Sequence, residues 1–265
     1  MDKGKLLDRV GAAGDERLVL ARVLDKLEQA RNRSVPAYTD FLSPAEQQRA
    51  RDVLRLAGAG ETDFTGLGGY PEAERKILLF LPDWLAPEDA PSQSPLRCLR
   101  AAFRPEYALT HRDFLGSLMG LGIVREKVGD LLVGETSCDL VALESVTEFL
   151  AQNWTQAGRA PLQVKIIAPE ELQVPQAKCQ EIRDTVSSLR LDAVTSTALR
   201  MARGKAAELI ESGRVQLNWR ECVKSDQTVR QGDVVTARGF GKFELAEVGG
   251  VTKKGRTSIV VRRYL

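Results

Sequence analysis

Between Ala202 and Val235 the hydrophobic period changes from helical to extended within a dozen residues, and a small helix-and-strand unit is what satisfies both periods. Ala206, Leu209 and Ile210 stand at i, i+3 and i+4, one apolar stripe on a short helix that Gly213 is placed to end in the left-handed conformation. Val215 and Leu217 then alternate with Gln216 and Asn218, the period of a half-buried strand, and Gly232-Asp233 marks a turn ahead of Val234 and Val235. The charges on this unit are unusual. Arg203 and Lys205 fall in the first helical turn, where the macrodipole is already positive and each cation costs about 0.3–1 kcal/mol. Ala202, just before the helix, has no side-chain oxygen to satisfy the free amides there. Bare amides beside two cations suit a phosphate. The competing reading is a solvated edge whose helix start is completed by Ser196, Thr197 or water.

Charge distribution separates these readings. Residues 183 to 265 hold 16 Lys and Arg against 9 Asp and Glu, whereas the other 182 residues hold 22 against 27, so the overall charge of +2 conceals a basic C-terminal segment and an acidic remainder. Cations gathered in one terminal module are the electrostatic footprint of a nucleic-acid binder. A membrane surface fits less well, because the segment has no large apolar helical face and no lipidation signal. In Arg238-Gly239-Phe240-Gly241-Lys242-Phe243 the glycines suit a hairpin turn that exposes Phe240 for base stacking, while Phe243 reads as core. Lys253-Lys254-Gly255-Arg256 reads as a charged turn before a strand from Ser258 to Arg262, either gripping a phosphate or simply solvated.

Arg190-Leu191-Asp192, the helix start from Arg203 to Ile210, Gly213 to Asn218 and Gly232-Asp233 together resemble, in the correct order, the S-four RNA-binding domain, also called the alpha-L motif. The resemblance implies two helices and a small curved sheet with a basic face toward structured RNA, the first turn of the second helix meeting the backbone. Carried over, it assigns RNA contact to Arg190, Arg203, Lys205, Arg214 and Asn218, and Arg200, Arg238, Phe240, Lys242, Lys253, Lys254 and Arg256 are candidates on the same basic face. Asp192 is expected to orient a neighbouring arginine or amide. Ala202 departs from the pattern, which usually has Ser there.

The remaining chain reads as α+β. At 265 residues and 43% apolar content it suits two or three domains with real cores. The N-terminus carries Asp2, Asp8 and Asp15 and no continuous apolar run, so the expected address is the cytoplasm. Cys98, Cys138, Cys179 and Cys222 stand far apart beside a single histidine, which argues against a zinc site and for reduced thiols, and no cofactor is implied. Residues 1–60 read as a helical region, with Leu18, Ala21, Val23, Leu24 and Leu27 as one apolar face. Ser43-Pro44-Ala45-Glu46 is a capping box opening a helix that ends at Gly58. The glycines from Gly58 to Gly69 lack the spacing of a phosphate cradle and read as a loop. Residues 61–175 read as a mixed domain: strands at Ile77–Leu81 and Leu96–Phe103, then helix, two strands, helix and strand, which from Leu96 onward is the β-α-β-β-α-β, ferredoxin-like order. RNA-recognition domains share that order but stack bases on strand aromatics, and Cys138 to Leu143 has none. A spacer or docking role therefore suits the middle domain better, ahead of the C-terminal domain at 183–265.

The segment Thr110 to Gly122 begins with Thr110-His111-Arg112-Asp113, a helix cap whose His111 and Asp113 could also form an acid–base pair. No nucleotide loop or metal partner accompanies it, so the structural reading is preferred. With Gly68-Gly69-Tyr70 and Glu74-Arg75-Lys76, this segment resembles the YlmH-type RNA-binding proteins, whose cyanobacterial members are called photosystem II S-four domain proteins. That resemblance implies a helical N-terminus, a ferredoxin-like middle and a C-terminal S-four domain, with a non-catalytic role on ribosomal particles: rRNA of the large subunit, tRNA as a further contact, in quality control or assembly. The alternatives are an RNA-modifying enzyme, such as a pseudouridine synthase or rRNA methyltransferase, and an adaptor anchoring a protein partner through residues 1–180.

Overall fold

Asp2 caps the first helix, α1 (Lys3–Arg9), by accepting from the Lys5 amide at 3.2 Å. The 20-residue α2 (Gly14–Arg33) buries Leu20, Val23, Leu24, Leu27 and Ala30. Leu18, expected on that face, is 59% exposed, because two residues back from Leu20 is about 200° around the helix. The Ser43–Glu46 capping box opens α3 (Pro44–Leu56), with Ser43 N donating to Glu46 Oε2 at 2.7 Å, and Gly58 follows its end with φ +72°.

These helices are not a helical region alone. Strands β1 (Ala37–Tyr38), β2 (Phe64–Leu67) and β3 (Ile77–Phe80) form an antiparallel sheet in the order β1-β3-β2. Leu78 and Phe80 of the central strand enter the same core as Leu24, Leu27 and Leu54. The glycine-rich stretch read as loop thus contains an edge strand, held by register against β3 and by the Phe64 ring 5.9 Å from Phe80. Its glycines masked the two apolar anchors, Phe64 and Leu67.

The next elements are β4 (Leu96–Ala102), α4 (His111–Gly120), β5 (Val128–Val133), β6 (Ser137–Leu143) and α5 (Glu144–Asn153). A two-residue-per-strand hairpin, β7 (Gln156–Ala157) with β8 (Ala160–Pro161), precedes β9 (Gln163–Ile167). The sheet order β5-β6-β4-β9, antiparallel throughout, is the split βαβ topology. One face carries Leu99, Ala101, Leu140 and Ala142 against Phe114, Leu118 and Leu150 of the two helices and Trp154 just after α5. Trp154 stands edge-on to Phe114 at 6.0 Å and donates its indole N–H to Ser117 Oγ at 2.8 Å, so its polar end is satisfied in the core.

The opposite face, which an RNA-recognition domain leaves open for bases, is covered here. Cys98, Val141, Leu143 and Ile167 pack on Phe41 and Ile77, with Leu67 and Tyr70 alongside. Farther along the same face Arg100 binds both oxygens of buried Asp139, at 2.7 and 2.6 Å, and donates to Glu171 O, while Gln173 N donates to Asp139 Oδ2. The fit is close: a Cβ on Gly69 would stand 2.8 Å from Val141 Cγ1, and one on Gly129 2.7 Å from Phe41 Cε1.

The structure, a computed structural model, describes residues 2–175 and 179–264, and its elements divide into a unit Met1–Pro175 and a unit Gln176–Leu265. In the second unit β10 (Cys179–Val186) precedes α6 (Leu191–Leu199) and α7 (Arg203–Glu211), followed by β11 (Val215–Leu217), β12 (Arg220–Glu221), β13 (Val234–Ala237), β14 (Gly241–Val251) and β15 (Thr257–Tyr264). The six strands pair antiparallel in the order β10-β15-β14-β13-β11-β12. Leu191, Val194, Leu209 and Ile210 of the helices pack on Val215, Val235, Phe243, Leu245, Ile259 and Val261 of the sheet. Gly213 ends α7 with φ +71°, so the stripe and the stop read from the sequence are both present.

Gly69 combines φ +89° with the contact to Val141. Gly69→Ala should therefore destabilise the first unit by about 2–4 kcal/mol, backbone strain adding to overpacking. Urea unfolding followed by tryptophan fluorescence would register this as a lower midpoint.

Candidate nucleic-acid interface

Asp192 organises the helical end of the second unit. It lies in the first turn of α6, 5% exposed, and accepts from Arg190 Nε and Nη2 at 3.2 and 3.1 Å and from Arg203 Nη2 at 3.0 Å. Its Oδ1 also accepts from the Ala193 amide at 2.7 Å. Burial alone would raise the carboxyl, but the bonds from Arg190 and Arg203 prevail and hold it below the ordinary carboxylate value, while Asp192 in turn raises Arg190. Two guanidiniums converge on one carboxylate and leave a net positive pair. Both remain about half exposed, at 40% and 47%, so their outer edges face solvent. Asp192 thus orients arginines, as its place in the motif implied.

The start of α7 is as bare as the sequence indicated. Ala202 provides no side-chain cap and no acid stands in the first turn. Ser196 does not fill the gap, since its hydroxyl donates to Met201 O at 2.8 Å. Arg203 and Lys205 are exposed beside these amides, and Arg200, in the left-handed conformation with φ +52°, closes α6 with its side chain exposed. Free N–H groups, a dipole end and cations share one edge.

A second basic group surrounds the turn between β13 and β14. Arg214 donates through Nη2 to Arg238 O at 3.0 Å and its guanidinium carbon lies 5.8 Å from the centre of the Phe240 ring. Arg263 Nη2 donates to Phe240 O at 3.3 Å. Phe240 is 40% exposed whereas Phe243 is fully buried, so the two aromatics divide between surface and core. Lys242 lies over the Tyr264 ring at 5.0 Å. Arg263 lies outside the residues that the sequence singles out.

Other expected contacts have a different geometry. Asn218 and Trp219, with φ +49° and +60°, form the two-residue turn between β11 and β12. Both ends of the Asn218 amide are engaged within the unit: Nδ2 donates to Asp233 Oδ1 at 2.8 Å and Oδ1 accepts from Val234 N at 2.9 Å. It braces this turn against the next strand. Arg256 reaches back to Thr185, donating to its hydroxyl at 2.9 Å and to its carbonyl, which pins the β14–β15 turn to β10. Lys253 and Lys254 are exposed in that turn. The turn lies at the far end of β14 from Phe240, roughly 30 Å away by strand rise, so these lysines do not join the Arg214–Phe240 group.

In the first unit, Asp113 Oδ2 accepts from both Thr110 N and Thr110 Oγ1, at 2.8 and 2.7 Å, which lowers its carboxyl and commits it to starting α4. His111 is exposed, and partial desolvation together with the charge of Arg125 lowers its imidazole. Burial pushes the Cys98 thiol up to about 11 and raises Cys138 further, so neither is a ready nucleophile or ligand at neutral pH. Among the described residues no group of three or more His, Cys, Asp or Glu is placed to hold a metal, and no helix is long and apolar enough to cross a membrane.

Comparison with known proteins adds the following. Residues 104–171 match the family model described as "Putative RNA-binding domain in YlmH", and residues 15–83 match the YlmH N-terminal model. The chain is 34% identical over 253 residues to ribosome-associated protein quality control protein P2 of Bacillus subtilis (strain 168), covering 94% of this chain and 95% of the relative. The solved structure of cell division protein YlmH from Streptococcus pneumoniae matches 61% of this chain and 96% of its own, with 20% identity and a TM-score of 0.49. The middle segment, for which the sequence suggests a spacer or docking surface, is thus the part that carries the family's RNA-binding description.

Asp192→Asn should destabilise the second unit by about 1–3 kcal/mol at neutral pH, the worth of charged hydrogen bonds at a partly exposed site. The sign with pH is fixed by the lowered carboxyl: its contribution is complete above its ordinary pKa of 3.8 and lost as pH falls through the lower folded value. The difference between wild type and variant, measured by unfolding at pH 7 and again near pH 3, should therefore shrink on acidification.

Proposed function

This chain belongs to the YlmH family, and from that premise we propose that it binds structured RNA without catalysing a reaction, rRNA of the large ribosomal subunit being the main ligand and tRNA a further contact. The observation that carries the reading is the start of α7: uncapped amides next to Arg203, itself held with Arg190 on buried Asp192. A buried carboxylate that presents two guanidiniums outward fixes their forks in advance, and forks of this kind bind phosphate oxygens in pairs. The C-terminal unit is accordingly read as an S-four-type domain. Arg190, Arg200, Arg203 and Lys205 grip the backbone at the helical end, and Arg214, Arg238 and Lys242 do so around Phe240, whose exposed ring stacks on an unpaired base.

The ribosomal setting is supported by the printed name of the B. subtilis relative, which covers nearly the full length of both chains. In this reading the protein acts on ribosomal particles in the cytoplasm, in quality control or assembly. Because the family's RNA-binding description falls on residues 104–171, the first unit is read as a second contact with the particle rather than as a passive spacer. Its covered sheet face excludes base stacking there in the manner of RNA-recognition domains, so this contact is made by loops and helix ends.

Arg203→Ala with Lys205→Ala removes two phosphate contacts and keeps the Arg190–Asp192 pair. Binding to ribosomal particles or rRNA should weaken, and the slope of log affinity against log salt should become shallower by about 1.5–2. Equal affinity and equal slope for wild type and variant across a salt series, measured by filter binding, would refute the assignment.

A further inference from the structure

On the first unit, Arg75 and Arg125 form a half-buried cation pair, near the charges of Asp130 and Glu126 but held by backbone carbonyls. Arg75 donates from Nε to Val128 O at 3.3 Å and from Nη2 to Phe41 O at 3.1 Å and Arg125 O at 3.5 Å. Arg125 donates from Nη1 to Val128 O at 2.7 Å and to Gly129 O at 2.8 Å. The two guanidiniums therefore share one carbonyl acceptor, which brings like charges close together. Only part of each fork is used in this way. Nη1 of Arg75 and both Nε and Nη2 of Arg125 have no hydrogen-bond acceptor among the described residues.

The neighbouring carboxylates do not complete the pair. Asp130 accepts from Tyr70 Oη at 2.9 Å, Glu74 N at 2.7 Å and Arg75 N at 3.2 Å, all of them groups other than a guanidinium. Glu46 is engaged by Ser43 in the α3 cap, and neither it nor Glu126 forms an ion pair with either arginine among the described residues. Desolvation is the leading cause that lowers both arginines; the charge of Arg75 lowers Arg125 further, to about 10, against the opposing pull of Asp130 and Glu126. His111 stands at the rim, exposed, within electrostatic reach of Arg125 and Asp130. A cation pair that is partly desolvated, oriented by backbone carbonyls and left with open N–H edges has donors to offer an anion.

We propose that the Arg75–Arg125 pair, with His111 at its rim, is a phosphate site that receives a phosphodiester of an RNA backbone on the first unit. The open edges offer paired donors to phosphate oxygens. The identity of the phosphate as RNA rests on the RNA-binding reading of residues 104–171, which include His111, Arg125 and Asp130; the site itself does not depend on the C-terminal unit.

His111 is the only histidine in the chain, so one imidazole resonance reports on the site in the full-length protein. With carbon-13-labelled histidine, its titration is followed by NMR alone, with inorganic phosphate, and with an RNA hairpin at a concentration that saturates binding. The hairpin should raise the His111 pKa by about one pH unit, because an anion then stands beside the imidazolium. The same rise is expected in the Arg203→Ala/Lys205→Ala protein when the RNA is raised to saturation, which separates this site from the C-terminal one. Arg125→Gln should raise the pKa of the free protein and abolish the further rise; if that variant fails to fold, Arg125→Lys keeps the charge, loses the fork, and should need about tenfold more RNA for the same shift. An unmoved His111 at saturating RNA, a shift that persists unchanged in Arg125→Gln or in Arg125→Lys, or a response to inorganic phosphate with none to RNA would overturn the proposal.

Discussion

One buried carboxylate sets the geometry on which the functional face depends. Asp192 is enclosed at the first turn of α6, and an isolated charge in that position would be costly. Arg190, just before α6, and Arg203, at the start of α7, compensate it, so the same contact that makes the buried charge tolerable fixes the two chain segments side by side. The consequence is electrostatic as well as structural. One negative charge holds two positive ones, the excess points to solvent, and it does so beside the uncapped amides of α7. If the proposed face binds RNA, stability and phosphate recognition are coupled through a single side chain.

The first unit solves a different problem. Its four-stranded sheet has two apolar faces, and the second is closed by Phe41, Ile77 and Tyr70 together with the Arg100–Asp139 pair. Glycines at positions 69 and 129 let that cover approach to contact distance. A sheet buried on both faces cannot stack bases, so the proposed RNA contact of this unit falls to polar groups at its margins, the carbonyl-held arginines among them.

Much of this was legible in the sequence where the signal is local. The Ala206–Leu209–Ile210 stripe, the Gly213 stop, the Ser43 capping box and the order of elements after Leu96 depend on neighbours within a few residues, and they appear as read. Reading failed where a partner distant in sequence decides. Phe64–Leu67 becomes a strand only because Ile77–Phe80 pairs with it, and Leu18 sits off the buried face because tertiary packing selects the stripe through Leu20. Asn218 looked like a recognition residue, yet its amide is claimed by Asp233 and Val234, and Arg256 is claimed by Thr185. A basic side chain in a motif indicates available charge; whether its donors are free is a property of the fold.

The central claim is that the arginine edge built on Asp192, with the Phe240 turn, is where this chain grips RNA. Ultraviolet crosslinking of the full-length protein in cells, with both the crosslinked peptides and the nucleotides identified, tests it most directly. The account predicts peptides spanning residues 200–214 and 238–242 attached to discrete positions in rRNA. Crosslinks scattered over unrelated messages, or none from those peptides while other parts of the chain crosslink to rRNA, would contradict it.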